Sequence, residues 1–159
     1  MITIKRHSGI YTLEVQQQLP ISIEEAWEFF STPANLAKIT PDHMGFRITS
    51  GKTDKMYTGQ IITYVIGLLP GIKSNWVTEI TQVQEKAFFI DEQRFGPYKM
   101  WHHEHRFKEV GKEVIMIDKV SYKLPLGFLG SLAHVLFIRK KLNEIFGFRY
   151  QTLNNYFKQ

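Results

Sequence analysis

Glu113-Val114-Ile115-Met116-Ile117-Asp118-Lys119-Val120-Ser121-Tyr122-Lys123-Leu124, followed by Pro125-Leu126-Gly127-Phe128-Leu129, is where the hydrophobic period of this chain changes. Before Pro125 the period is two. Val114, Met116, Asp118, Val120 and Tyr122 share one face and Ile115, Ile117, Lys119, Ser121 and Lys123 the other, the alternation of a half-buried strand. After Pro125 the apolar residues recur at three and four: Leu129, Leu132, Leu136, then Leu142, Ile145, Phe146, Leu153 and Phe157. That spacing predicts a long amphipathic helix from about Leu129 to Tyr156, with Gly147 as the place for a bend.

Upstream, the strand pattern dominates. Tyr11, Leu13, Val15 and Leu19 alternate inward up to Pro20. Ser22 and Glu25 then form a capping box for a helix over about Ile23 to Ser31, with Ile21 and Ala26 in the staple positions. Thr32-Pro33 predicts a second short helix, capped by Thr32 and ending before Pro41. From Phe46 the chain reads as consecutive strands: 46–50, 60–66, 75–84, 87–95, 99–108 and 113–124. Turn residues at Gly51, Gly67, Pro70-Gly71, Gly96-Pro97 and Gly111 separate them, which predicts an antiparallel meander, and Lys52, Asp54 and Lys55 read as a solvated turn. With no linker, repeat or low-complexity tract, residues 1–159 form a single α+β domain of about seven strands whose curved sheet packs on the last helix.

Composition narrows the function. At 14% aromatic residues the chain is rich in the side chains that line cores and ligand cavities. It has no cysteine, which removes disulfides, thiolate nucleophiles and Cys-ligated metal sites. A net charge of +5 comes from scattered Lys and Arg, and the one tight cluster, Arg139-Lys140-Lys141, reads as a solvated helix face, so no nucleic-acid partner is expected. The start of the chain lacks the pattern of a signal peptide, and a cytoplasmic location is expected. The apolar-leaning stretch from Leu124 to Ile138 is too short for stable membrane insertion.

Polar residues on inward faces are the candidates for function. Trp101, His103, His105 and Phe107 share the inner face of their strand, against His102, Glu104 and Arg106 outside. With Val110-Gly111 as the hairpin loop, Phe107 opposes Val114, His105 opposes Met116, His103 opposes Asp118, Trp101 opposes Val120, and Lys108 pairs with Glu113 outside. One strand earlier, Phe89, Asp91 and Gln93 face in, beside Trp76, Thr78 and Ile80, with Asp91 near His105 and Gln93 near His103. The result is a cavity walled by Trp76, Phe89, Trp101, Phe107 and Tyr122, with a polar belt of Asp91, Gln93, His103, His105 and Asp118. Arg149, between Phe146 and Leu153 on the terminal helix, reaches the cavity mouth or a sheet carboxylate, or snorkels to solvent. Two histidines at i, i+2 with an Asp nearby have the chemistry for zinc or iron, but no third ligand is spaced for it and no metal is assigned. No cofactor loop is present and no cofactor is assigned.

The run Phe89-x-Asp91-x-Gln93-x-x-Gly96-Pro97-Tyr98-x-x-Trp101-x-His103-x-His105-x-Phe107, then Asp118-x-Val120-x-Tyr122-x-Leu124-Pro125-Leu126-Gly127 and Ile145-Phe146-x-x-Arg149, resembles the START-like helix-grip superfamily, also called SRPBCC or polyketide cyclase/dehydrase-like. The likeness covers essentially the full length. It implies a β-α-α-β6-α grip around a deep pocket, and members that bind lipids, hormones, quinones or polyketides. Three functions follow as expectations. The first is a binding or carrier protein for a small hydrophobic or aromatic metabolite, lipid, polyketide or quinone-like. The second is a cyclase, dehydratase or isomerase with His103 and Asp118 as candidate catalytic acid–base pair. The third is a lipid- or quinone-handling module docking on membranes through Leu126-Gly127-Phe128-Leu129 and the Arg139-Lys140-Lys141 cluster.

Overall fold

The computed structural model describes residues 2–51, 55–69 and 71–158. Of the turn expected at Lys52, Asp54 and Lys55, the first two lie outside the described residues, as does Pro70; Lys55 is exposed.

Eight strands form one curved antiparallel sheet: β1 (Ile2–His7), β2 (Ile10–Leu19), β3 (Arg47–Ser50), β4 (Ile61–Leu69), β5 (Ile72–Gln84), β6 (Phe88–Phe95), β7 (Met100–Val110) and β8 (Glu113–Lys123). Their order across the sheet is β1-β2-β8-β7-β6-β5-β4-β3. The sequence reading lacked β1. It pairs with β2 through a turn at Ser8-Gly9, both residues with positive φ, and its signal was the Ile2/Ile4 alternation running into a Ser-Gly dipeptide.

Between β2 and β3 lies helix α1 (Ile23–Phe30), followed by 3-10 turns at Pro33–Ile39 and Asp42–Met44. The capping box forms as expected: Glu25 N–H donates to Ser22 Oγ at 3.2 Å, and Ser22 N–H donates to Glu25 Oε2 at 3.0 Å. The second helix is a 3-10 element instead of an α-helix, and Thr32 does not cap it; the hydroxyl donates back to the Glu28 carbonyl of α1 at 2.8 Å. Ile23, Ala26, Trp27 and Phe30 bury against Phe89, Phe107, Val114 and Met116, forming the core at one end of the sheet.

The C-terminal helix is α2 (Gly127–Ala133), a π turn (His134–Ile138) and α3 (Arg139–Phe157) in unbroken succession. Leu142, Phe146, Arg149 and Leu153 are the buried residues of α3, which runs through Gly147 as one helix. Gln17, the polar residue on the inward face of β2, ties α3 down by donating to the Tyr150 carbonyl at 2.9 Å and Asn154 Oδ1 at 3.1 Å. The first half of the apolar pattern corrects the expectation of one continuous stripe. Leu129, Leu132 and Leu136 are exposed, and the residues facing the sheet there are Gly130 and His134. The π turn takes up an extra residue and turns His134 inward, where its Nε2 meets the Tyr122 hydroxyl at 2.8 Å and its ring stacks on Tyr11.

A second correction concerns register. β7 runs to Val110 and β8 begins at Glu113, so the two-residue connection is Gly111-Lys112, with Gly111 at φ +65°. Every pair slides by two: Phe107 faces Met116, His105 faces Asp118, His103 faces Val120 and Trp101 faces Tyr122. The outer Lys108–Glu113 pair does not form; Glu113 lies across from Val110 and accepts from the Gln18 amide. An even slip keeps each side chain on its face, so the inward assignments stand.

Candidate functional site

Between the sheet, α3 and the 3-10 turns lies a cavity of about 170 Å³. Its walls are mostly apolar. β4 and β5 contribute Ile62, Tyr64, Ile66, Trp76 and Ile80, α3 contributes Leu142, Ile145 and Phe146, and the segment after α1 contributes Leu36, Ile39 and Met44.

The polar side chains gather on β6, β7 and β8, three adjacent strands at the centre of the sheet. Both histidines are buried, and each is held between two carboxylates. His103 sets Nδ1 3.4 Å from Asp91 Oδ2 and Nε2 3.2 Å from Asp118 Oδ1. His105 is turned the other way, with Nε2 2.9 Å from Asp91 Oδ2 and Nδ1 2.8 Å from Asp118 Oδ1. That last contact is close, but the ring N–H is not aligned on the oxygen. Arg149 completes the group from α3, its guanidinium donating to Asp118 Oδ2 at 3.1 Å. Asp91, His103, His105 and Arg149 border the cavity; Asp118 stands behind them.

Electrostatics divides the roles. Burial pushes the Asp118 carboxyl upward, but Arg149 and the two histidines outweigh it and hold it well below the usual carboxylate range. Asp91 moves the same way, with His103 and His105 overcoming burial. For His105, burial works against the charged ring, yet hydrogen bonding and charge from Asp118 and Asp91 raise its pKa. For His103, burial and the neighbouring His105 prevail and lower it. The two imidazoles are thus pushed in opposite directions, a proton being held more tightly on His105 than on His103.

The remaining sequence candidates divide in two. Trp76, Phe89 and Trp101 line the cavity, and Trp76 packs edge-on against Trp101 with ring centroids 5.3 Å apart. Phe107 lies instead in the core beneath α1, and Tyr122 in the core beneath the terminal helix, bonded to His134. Gln93 does not lie near His103. The β6–β7 register puts Asp91 opposite His103 and Phe89 opposite His105, and Gln93 closes the β6–β7 turn, donating to the Tyr98 carbonyl at 2.6 Å and accepting from the Tyr98 N–H at 3.1 Å. A Cβ on Gly96 would meet that Gln93 oxygen at 2.5 Å, so any other residue there would have to displace the Gln93 amide from its bonds to Tyr98. Several lining residues escaped the sequence reading, the aromatic Tyr64 and Tyr98 among them. Tyr64 stacks on Trp76 and meets the Thr78 hydroxyl at 3.1 Å, and Tyr98 packs on Trp101. The Ile62/Tyr64/Ile66 alternation carried the signal for the first; Tyr98, in a loop, has no alternation to place it and stands in the sequence reading only within the run that resembles the superfamily.

No protein-family model matches the sequence, and no curated protein matches it. Solved structures do. A START superfamily protein from Mycobacterium smegmatis superposes with a TM-score of 0.67 at 12% identity, over 93% of this chain and 97% of that one. A Rhodobacter sphaeroides protein gives 0.66 at 15% identity, over 98% and 99%. Ara h 8.0201 gives 0.60 at 14% identity, over 92% and 99%. The chain has the START-like helix-grip fold. Among the described residues no helix is long and apolar enough to cross a membrane.

Proposed function

We propose that this chain binds a small hydrophobic or aromatic molecule, lipid-, polyketide- or quinone-like, with its apolar body between α3 and the sheet and its polar end at the Asp91–His103–His105 group. The cavity carries this reading. Its 170 Å³ is of the size that admits a single aromatic ring, on the scale where about 150 Å³ suffices for benzene, and a few polar groups converge at one end of an apolar wall. A partly polar, largely apolar ligand satisfies both parts. The test is displacement of an environment-sensitive naphthalene dye from purified protein, with mass spectrometry of any molecule released on denaturation. Ile66→Trp, which fills the cavity, should abolish dye binding while leaving the thermal midpoint within a few degrees of wild type. Dye binding unchanged by that substitution would place the apolar site elsewhere.

The same geometry supports acid–base chemistry by His103, oriented by Asp118, as an alternative. His103→Gln would then stop turnover of a bound ligand without releasing it.

A second reading, membrane docking, rests on a separate observation. Leu126, Phe128 and Val135 are 76%, 80% and 72% exposed, and Leu129, Leu132, Leu136 and Phe137 are exposed with them. Arg139 and Lys140, also exposed, follow directly, which matches an apolar surface entering anionic headgroups. Phe128→Ser should weaken sedimentation with vesicles containing phosphatidylserine and leave neutral-vesicle binding low; equal binding to both at low salt would count against it.

A further inference from the structure

We propose that Asp91, His103 and His105 form a binding site for one divalent first-row metal ion of the zinc or ferrous class, open towards the cavity. One donor atom from each of Asp91, His103 and His105 lies within 4.8 Å of the other two. The two measured edges from Asp91, 3.4 Å to His103 and 2.9 Å to His105, are those of a coordination shell. Donors about 2.1 Å from a common ion stand roughly 3.0 Å apart in an octahedral and 3.4 Å apart in a tetrahedral arrangement. Two imidazoles and a carboxylate on one side of an ion are also a donor set suited to zinc or ferrous iron.

The independent observation is what lies behind the donors. A ligating histidine must present one nitrogen to the metal and give the proton on its other nitrogen to an acceptor, which fixes its tautomer. His103 does this with Asp118, and His105 brings its other nitrogen close to the same residue without aligning its N–H on the oxygen. His103 turns Nε2, and His105 turns Nδ1, to Asp118 Oδ1, at 3.2 and 2.8 Å. The rings are flipped relative to each other, so that in each the nitrogen turned away from Asp118 points at Asp91, 3.4 Å away for His103 Nδ1 and hydrogen-bonded for His105 Nε2. Arg149 takes the other oxygen of Asp118, leaving the Asp91 charge to the ion. A pair of histidines engaged only with each other and with a structural carboxylate has no need for this common orientation. With three protein donors on one side, the remaining coordination positions face the cavity that Asp91, His103 and His105 border.

This site goes beyond the ligand reading above, and the test uses metal alone, so the two can fail separately. Chelator-treated protein is titrated with Co2+ and Zn2+ by calorimetry, with visible absorption followed for Co2+. One ion per chain, with cobalt ligand-field bands of nitrogen–oxygen coordination, is expected. Asp91→Asn and His105→Gln should each weaken binding at least a hundredfold, and Asp118→Asn about 10- to 100-fold through the orienting contacts. Circular dichroism and thermal melting of each variant in the absence of metal separate loss of the site from loss of the fold; where Asp91→Asn does not fold, the milder His103→Asn carries the test. His7, His43 and His102 stand elsewhere, so weak binding that survives the triad substitutions, or no saturable binding to folded wild-type protein, overturns the proposal.

Discussion

Asp118 is a carboxylate placed where water does not reach, and Arg149 is the permanent positive charge set against it. Removing one partner of a buried ion pair leaves the other uncompensated, which costs about 3–5 kcal/mol. Arg149→Met should therefore lower unfolding stability by roughly that amount in urea titration, whereas loss of an exposed, solvent-screened pair such as Lys86–Glu24 should leave it almost unchanged. His134 gives a pH-dependent counterpart. Burial, then the nearby Arg139 and Arg6, lowers its pKa from 6.5, and its Nε2 shares a hydrogen bond with the Tyr122 hydroxyl. A base that is harder to protonate folded than unfolded adds no penalty above its unfolded pKa. As pH falls through that value the unfolded chain takes up the proton first, and stability is lost until the lowered folded pKa is passed. The advantage of wild type over His134→Gln should thus be greatest at pH 8 and shrink towards pH 5 in thermal melts; an advantage that grows on acidification would reverse the assignment. At this scale the candidate site was readable because alternation assigns faces. Charged residues opposite His103 and His105 forced the inward choice, and that choice brought Asp91, His103, His105 and Asp118 together. Which histidine faces which carboxylate was not readable, because face and register are separate quantities and alternation reports only the first.

At the scale of elements, local signals succeeded where the chemistry is complete within four residues. Ser22 and Glu25 satisfy each other's backbone donors, and Ser22→Ala should cost about 1 kcal/mol in unfolding stability, measured by denaturant titration with unchanged slope. A loss below the error of the measurement would mean that α1 is held by its packing on β7 and β8 alone. Register failed where one turn decides it. Moving the hairpin connection from Val110-Gly111 to Gly111-Lys112 shifts an eleven-residue ladder, and nothing within either strand opposes the slip, because apolar residues at every second position fit both alignments. The terminal helix failed for a related reason. Spacing of three and four supports any helix, but a π turn at His134–Ile138 is set by what His134 meets on β2 and β8, far away in sequence.

At the scale of the molecule, occupancy and stability are linked. A ligand that binds only the folded chain at a hundred times its dissociation constant adds about 2.7 kcal/mol, so a true cavity ligand should raise the melting temperature in a concentration-dependent way, and Ile66→Trp should erase the shift. The sheet order has a further consequence. β6, β7 and β8, which carry both histidines and both carboxylates, are flanked by paired strands on either side, while the opposite wall of the cavity rests partly on 3-10 turns and on the four-residue edge strand β3 with its irregular register. Amide protons of central strands exchange with solvent only when the whole domain unfolds, whereas those of peripheral turns exchange through local opening. The polar wall should therefore exchange slowly, and the 3-10 turns and β3 behind part of the apolar wall should exchange faster, as amide exchange would measure. On the proposed reading, the polar group would last as long as the fold does, while the shape of a ligand would be set by segments that can be rewritten, or can open to admit it, without unfolding the rest.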